Sequence, residues 1–231
     1  MVHSIELVFD SDTEAAIRRI WAGLAAAGIP SQAPASRPHV SLAVAERIAP
    51  EVDEPLGAVA RRLPLDCVIG APVLFGRANV VFTRLVVPTS ELLALHAEVH
   101  RLCGPHLAPA PMANSLPGQW TAHVTLARRV GGHQLGRALR IAGRPSRIDG
   151  RFAGLRRWDG NTRAEYLLGV RRAPKSLMAK GFDRNFVLMA SSRVRAGAGQ
   201  VARTHVDVGM SKDLRGRRFS RIVVVVLVVV A

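Results

Sequence analysis

An apolar run from residue 3 to residue 9 closes on Asp10, and this pattern predicts a short strand. Beyond it the period changes. Ile17, Ile20, Trp21 and Leu24 recur at the spacing of one helix face, behind N-cap chemistry at Ser11, Asp12, Thr13 and Glu14. Gly28 and Pro30 close that helix, and residues 31–38, rich in Ser, Ala and Pro, read as loop. A strand is predicted over 40–44 and a helix over 55–63. Apolar runs over 65–75 and 80–87 flank Gly76-Arg77-Ala78-Asn79 as a hairpin. Thr89 or Ser90 can cap the next helix, in which Leu92, Leu95, His96, Val99 and Leu102 share a face. Four prolines and two glycines mark 104–119 as loop. A strand over 123–130, a helix over 134–142 and a hairpin of 148–158 with 163–170 complete the body.

One string within this pattern occurs twice. His39-Val40-Ser41-Leu42-Ala43 returns as His123-Val124-Thr125-Leu126-Ala127, 84 residues later, about half the length of a 170-residue body. Both copies fall in predicted strands, where side chains alternate between faces. His39 and Ser41 therefore share one face, with Val40 and Leu42 on the other; His123 and Thr125 oppose Val124 and Leu126 in the same way. The repeat implies a duplicated α+β body, two lobes with helices outside and sheets facing a central groove. Such a groove would gather two imidazoles and two hydroxyls in one small volume.

Composition changes this picture mainly at the C-terminal end. A 48% hydrophobic content excludes general disorder, and a net charge of +15 suggests an anionic partner. Residues 1–170 hold 19 Arg and no Lys against 14 Asp and Glu, a net of +5; residues 171–231 hold 10 Arg and 3 Lys against 3 Asp, a net of +10. The reading is a body, 1–170, followed by a basic tail, 171–231, to which the sequence assigns no function. Ile222 to Val230 is an aliphatic run well short of the roughly 20 residues that span a bilayer, so no membrane span is expected; attachment of the basic–aliphatic terminus to a membrane surface is a third, less favoured reading. The two cysteines, Cys67 and Cys103, form no CxxC and no zinc-ligand pattern. No basic segment followed by an apolar core opens the chain, so a cytoplasmic protein is expected.

A single H-x-[ST] carries little information in a chain with 8 His. Two copies that also share Val, Leu and Ala, one per half and both in strands, are far more specific. The paired H-V-S-L and H-V-T-L resemble the signatures of the 2H phosphoesterase superfamily. Within it the chain is most similar to the bacterial 2′-5′ RNA ligase-like proteins, the LigT-like group, over about residues 3–170. The R-P-H-V-S-L start and the W-T-A-H-V-T-L-A-R segment carry this similarity.

The resemblance implies a bilobal α+β fold whose pseudo-twofold-related antiparallel sheets flank the active-site groove. It implies that His39 and His123 are catalytic and that Ser41 and Thr125 hold phosphate. It further implies opening of 2′,3′-cyclic phosphates to 2′-phosphates, or cleavage and reversible joining of 2′-5′ linkages. The expected substrates are RNA ends or small cyclic nucleotides. No cofactor, no metal and no obligatory protein partner are expected, and the protein is expected to be a monomer.

The residue types suit that chemistry. With an unperturbed pKa near 6.5, one imidazole can be neutral while the other is protonated. The first can take a proton and the second can give one to a leaving oxygen, each worth about 10²–10⁴-fold. The hydroxyls can donate to non-bridging oxygens. The residues alone do not say which His is the acid. Arg37 falls on the His39 face by alternation, although Pro38 leaves its direction open. Arg128 matches the family's motif-following arginine, yet alternation puts it opposite His123 unless a bulge or twist intervenes. Trp120 could stack on a base or pack on the core. His96 and His100, at i and i+4, lack a third metal ligand and read as helix-face residues. The rival reading is a non-catalytic RNA-binding module that uses the same groove and the basic tail. No G-x-S-x-G, no GxxxxGK[ST] and no GxGxxG after a strand is present, which argues against an ATP-driven ligase.

Overall fold

The structure, a computed structural model, describes residues 2–32 and 36–169; the basic tail at 171–231 and its aliphatic run lie outside the described residues. The body is α+β. Its strands are β1 (His3–Phe9), β2 (His39–Ile48), β3 (Leu65–Phe75), β4 (Asn79–Val86), β5 (Leu107–Pro111), β6 (His123–Gly131), β7 (Ile148–Asp159) and β8 (Ala164–Leu167). The helices are α1 (Ser11–Ala26), α2 (Asp53–Ala60), α3 (Ser90–Cys103) and α4 (Gly132–Ala142).

Local chemistry sets most of these boundaries. Asp10, one residue before the expected group, caps α1 by accepting from the Thr13 amide at 2.9 Å. Ile17, Ile20, Trp21 and Leu24 form its buried stripe, and Gly28 follows with φ +70°, a conformation glycine adopts without a Cβ penalty. Thr89 caps α3 through the Leu92 amide. A Cβ on Gly150 would sit 2.4 Å from Thr13 Oγ1, so glycine there lets α1 lie close against β7.

One expectation is corrected. Residues 104–119 are not all loop: Leu107–Pro111 pairs with β2 as an edge strand. Pro109 and Pro111 are tolerated there because an edge strand need not donate on both sides.

All pairings are antiparallel, in the order β5-β2-β1-β7-β3-β4-β6, with β8 on β7. Without the edge strands β5 and β8 the order reads the same under exchange of β1 with β4, β2 with β6 and β3 with β7. The chain accordingly repeats β1-α1-β2-α2-β3 as β4-α3-β6-α4-β7, with β5 inserted. The two lobes are the wings of this one hydrogen-bonded path. They meet at β7, whose first part pairs with β3 and whose later part pairs with β1.

The helices are exchanged between halves. α3 packs behind β2 and α1 behind β6, while α1 meets α4 and α2 meets α3. Val40, Leu42, Val124 and Leu126 are fully buried in the single core this creates. Burial of this kind stabilises by about 1.5–3 kcal/mol per large apolar side chain, and it fixes the register of both motif strands.

Candidate active site

The motif strands bury the same positions. In β2 and β6 alike the His is half-buried, the Val buried, the hydroxyl residue half-buried, and the Leu and Ala buried. Both also carry a bulge at the motif leucine. Ile5 pairs with Ala43 and Glu6 with Ser41, which leaves Leu42 extra; Phe82 pairs with Ala127 and Thr83 with Thr125, which leaves Leu126 extra. The extra residue resets the alternation. Ala127 turns into the core and Arg128 outward, so Arg128 reaches the His123 side after all, and its charge acts on His123.

The two imidazoles are tethered alike. His39 Nδ1 donates to the Arg37 carbonyl at 2.7 Å, and His123 Nδ1 donates to the Thr121 carbonyl at 2.6 Å. A carbonyl can only accept, so each Nδ1 carries the hydrogen and each Nε2 is left to gain or lose a proton. β2 and β6 approach each other, and the charge of one ring is felt by the other. The hydroxyls of Ser41 and Thr125 have no hydrogen-bond partner among the described residues, which leaves both able to donate.

Surroundings differ sharply between the rings. His39 Nε2 lies 3.5 Å from Glu6 Oε1. His123 packs against Phe75, ring centroids 4.8 Å apart. Burial pushes His123 below the ordinary imidazole range; its bond to Thr121 opposes this, and the charges of His39 and Arg128 add to it.

The backs of both strands are held by side chains of the packing helices and loops. Trp120 Nε1 donates to the Ser41 carbonyl at 2.9 Å and Trp21 Nε1 to the Thr125 carbonyl at 3.1 Å. The bulge carbonyl of Leu42 accepts from His96 Nε2 at 3.1 Å and His100 Nε2 at 3.0 Å. The same His96 Nε2–H is shared with the Ser115 carbonyl at 2.9 Å, and the ring stacks on Trp120, centroids 3.9 Å apart. Trp120, His96 and His100 thus brace β2 from behind. Arg37 gives its carbonyl to His39, while its Nε binds Glu14 Oε2 at 3.1 Å. Among the described residues no cluster of three or more His, Cys, Asp or Glu could hold a metal, and no helix is long and apolar enough to cross a membrane.

Sequence reasoning missed Glu6, Arg156 and Phe75. Glu6 had a visible signal, a lone carboxylate inside an apolar strand whose seven residues are all buried. Phe75 had none.

Residues 9–158 match the family model described as the 2′-5′ RNA ligase superfamily. Among solved structures, the chain is similar to Usb1 of Kluyveromyces marxianus (13% identity, covering 72% of this chain and 97% of that one, TM-score 0.45). It is similar to TT0787 of Thermus thermophilus (16% identity, 73% and 95% covered, TM-score 0.46). It is also similar to the MHV ns2 PDE domain (15% identity, 72% and 97% covered, TM-score 0.42). No curated protein matches the chain.

Proposed function

The chain belongs to the 2′-5′ RNA ligase superfamily of 2H phosphoesterases, and on that premise we propose that it is a two-histidine phosphoesterase acting on RNA ends or small cyclic nucleotides. The reaction is opening of a 2′,3′-cyclic phosphate to a 2′-phosphate, with cleavage and reversible joining of 2′-5′ linkages as the related activity.

The observation that carries this reading is the matched tethering of His39 and His123. Each Nδ1 is bound to the carbonyl two residues upstream, and each ring stands two residues from an unpartnered hydroxyl. One neutral Nε2 takes the proton of an attacking water as the new O–P bond forms. The other ring, as imidazolium, gives its Nε2 proton to the 3′ oxygen as the P–O3′ bond breaks. Ser41 and Thr125 donate to the non-bridging oxygens, where negative charge grows in the transition state. Arg128 stands near enough to add a cation on the His123 side. The histidines, hydroxyls and Arg128 provide proton transfer and charge stabilisation without calling on a metal.

The test is hydrolysis of an RNA oligonucleotide ending in a 2′,3′-cyclic phosphate, with EDTA present. Wild type should turn over, and His39→Ala and His123→Ala should each lose about 10²–10⁴-fold while circular dichroism shows the fold retained. Activity that survives both substitutions, or that EDTA abolishes, would sink the mechanism. RNA binding without turnover would favour the binding module.

A further inference from the structure

We propose that Glu6 is a positioning residue that keeps the proton on His39, making His39 the general acid and His123 the general base. This deepens the function proposed above and rests on it for its catalytic meaning. The order in which the two rings give up their protons is a property of the folded chain and is measurable whether or not the substrate is right.

The argument begins with pairing. Glu6 lies opposite Ser41 on one side and Arg156 on the other, so it shares the face of His39 and Ser41. Its side chain is 3% exposed. Oε2 accepts from Arg156 Nε at 2.8 Å and lies 2.7 Å from a second Arg156 nitrogen; Oε1 accepts from the Ser4 hydroxyl. This buried carboxylate is surrounded by donors, two of them on a guanidinium whose charge it balances. His39 has already given its Nδ1 hydrogen to Arg37. A neutral His39 therefore turns an Nε2 lone pair toward a carboxylate oxygen, acceptor against acceptor. A proton on Nε2 turns that contact into an attraction.

The second half has no such group. The position equivalent to Glu6 is Thr83, which pairs with Thr125 as Glu6 pairs with Ser41. Its hydroxyl donates to the Val73 carbonyl at 2.9 Å. Val73 occupies the place of Arg156, and Phe75 that of Trp158. The charged groups around the pair are few. His39 meets Glu6, with Arg156 behind it bound also to Glu165, and His123 on the approaching strand β6. His123 meets His39 and Arg128. A carboxylate faces one ring; two cationic groups and an aromatic wall face the other.

The first test is an NMR titration of the imidazole resonances of wild-type protein, assigned with His39→Gln and His123→Gln. As pH rises, His123 should lose its proton first and His39 last; the reverse order, or simultaneous titration, overturns the proposal. The second is Glu6→Gln. Its His39 resonance and the basic limb of its pH–rate profile should both move down by about 1 pH unit, cutting the rate on the basic side about tenfold, while the limb set by His123 stays. Rate lost equally at every pH, with an unmoved His39 titration, would leave Glu6 a purely structural role and end the idea. If Glu6→Gln does not fold, the wild-type titration decides. Absence of turnover in wild type would refute the proposed function and leave the titration order to stand or fall alone.

Discussion

The two halves of the body share a backbone and differ in what lies under their motif strands. Strand order, burial along the motifs, the bulge at Leu42 or Leu126 and the tether on each Nδ1 are all duplicated. The neighbouring strands are not. Beneath His39 stand Ser4, Glu6, Arg156 and Trp158; beneath His123 stand Val81, Thr83, Val73 and Phe75. On the opposite face the polarity reverses, with Leu7 in the first half answered by Arg84 in the second. A duplicated frame supplies two imidazoles in matching geometry, and a symmetric pair has no preferred direction for a proton. The neighbours break the tie. What the comparison teaches is that two copies of one motif can be given unlike surroundings by changing the strands beside them, and on the proposed function that is how one frame yields one acid and one base.

The largest effect that would sharpen this comparison comes from placing methionine at Leu7 and at Arg84. Arg84 is 1% exposed and makes no ion pair among the described residues. It donates instead to carbonyls of Ile69, Gly70, Pro145 and Ser146, and more distantly to Ala142 at the end of α4. It pins the turn after α4 to β3 at Ile69 and Gly70. Arg84→Met takes the guanidinium donors away from these carbonyls and should cost about 3–5 kcal/mol. Leu7→Met nearly conserves volume and should cost less than about 1.5 kcal/mol. Urea denaturation measures both. Equal costs would mean that the buried guanidinium is a passive replacement for leucine.

How much of this was legible beforehand follows from which interactions are local. The alternation His39/Ser41 against Val40/Leu42 is a local rule, and it held in both strands. So did the N-cap at Thr89 and the stripe Ile17, Ile20, Trp21, Leu24. What escaped is pairwise. Nothing along the chain says that α3 packs behind β2 and α1 behind β6, because each exchange joins elements far apart in sequence. Strand β5 was hidden by its prolines, which an edge position tolerates. Arg128 was placed on the wrong face by strict alternation, and the bulge at Leu126 explains why. Glu6 was in plain view as a lone acid in an apolar strand, yet its partners Arg156 and His39 lie 150 and 33 positions away, so its role could not be read.

The next contrast is between the supports behind the two strands. The first is braced by an indole and two imidazoles, the second by an indole. His96 is held near a pKa of about 4, mainly because burial disfavours its charge and secondarily through His100, its bonds to Ser115 and Leu42 opposing. The folded value lies below the unfolded one of about 6.5, so the unfolded chain binds more protons in between. Stability is therefore full above about pH 6.5 and falls as pH drops toward 4, by an amount of order 3 kcal/mol. In His96→Gln, which can still donate to Leu42, this slope should flatten. Melting temperatures between pH 4 and 7 measure it, and a slope unchanged by the substitution would assign the acid sensitivity elsewhere.

The smallest effect separates the two indoles. Trp21 reaches Thr125 from α1, and Trp120 reaches Ser41 from the segment before β6. Each donates one bond to the carbonyl of a motif hydroxyl residue, so each strand is held by a residue of the other half. Replacement by Phe keeps most of the apolar surface and removes only the N–H, a loss of about 0.5–1.5 kcal/mol. Trp120→Phe retains a ring to stack on His96, so the two substitutions should cost nearly the same. They act on carbonyls of different strands and share no partner, and the double variant should show the sum. A cost confined to Trp120 would mean that β6 does not depend on Trp21 of α1 as β2 depends on Trp120, and the equivalence of the two halves would then stop at the backbone.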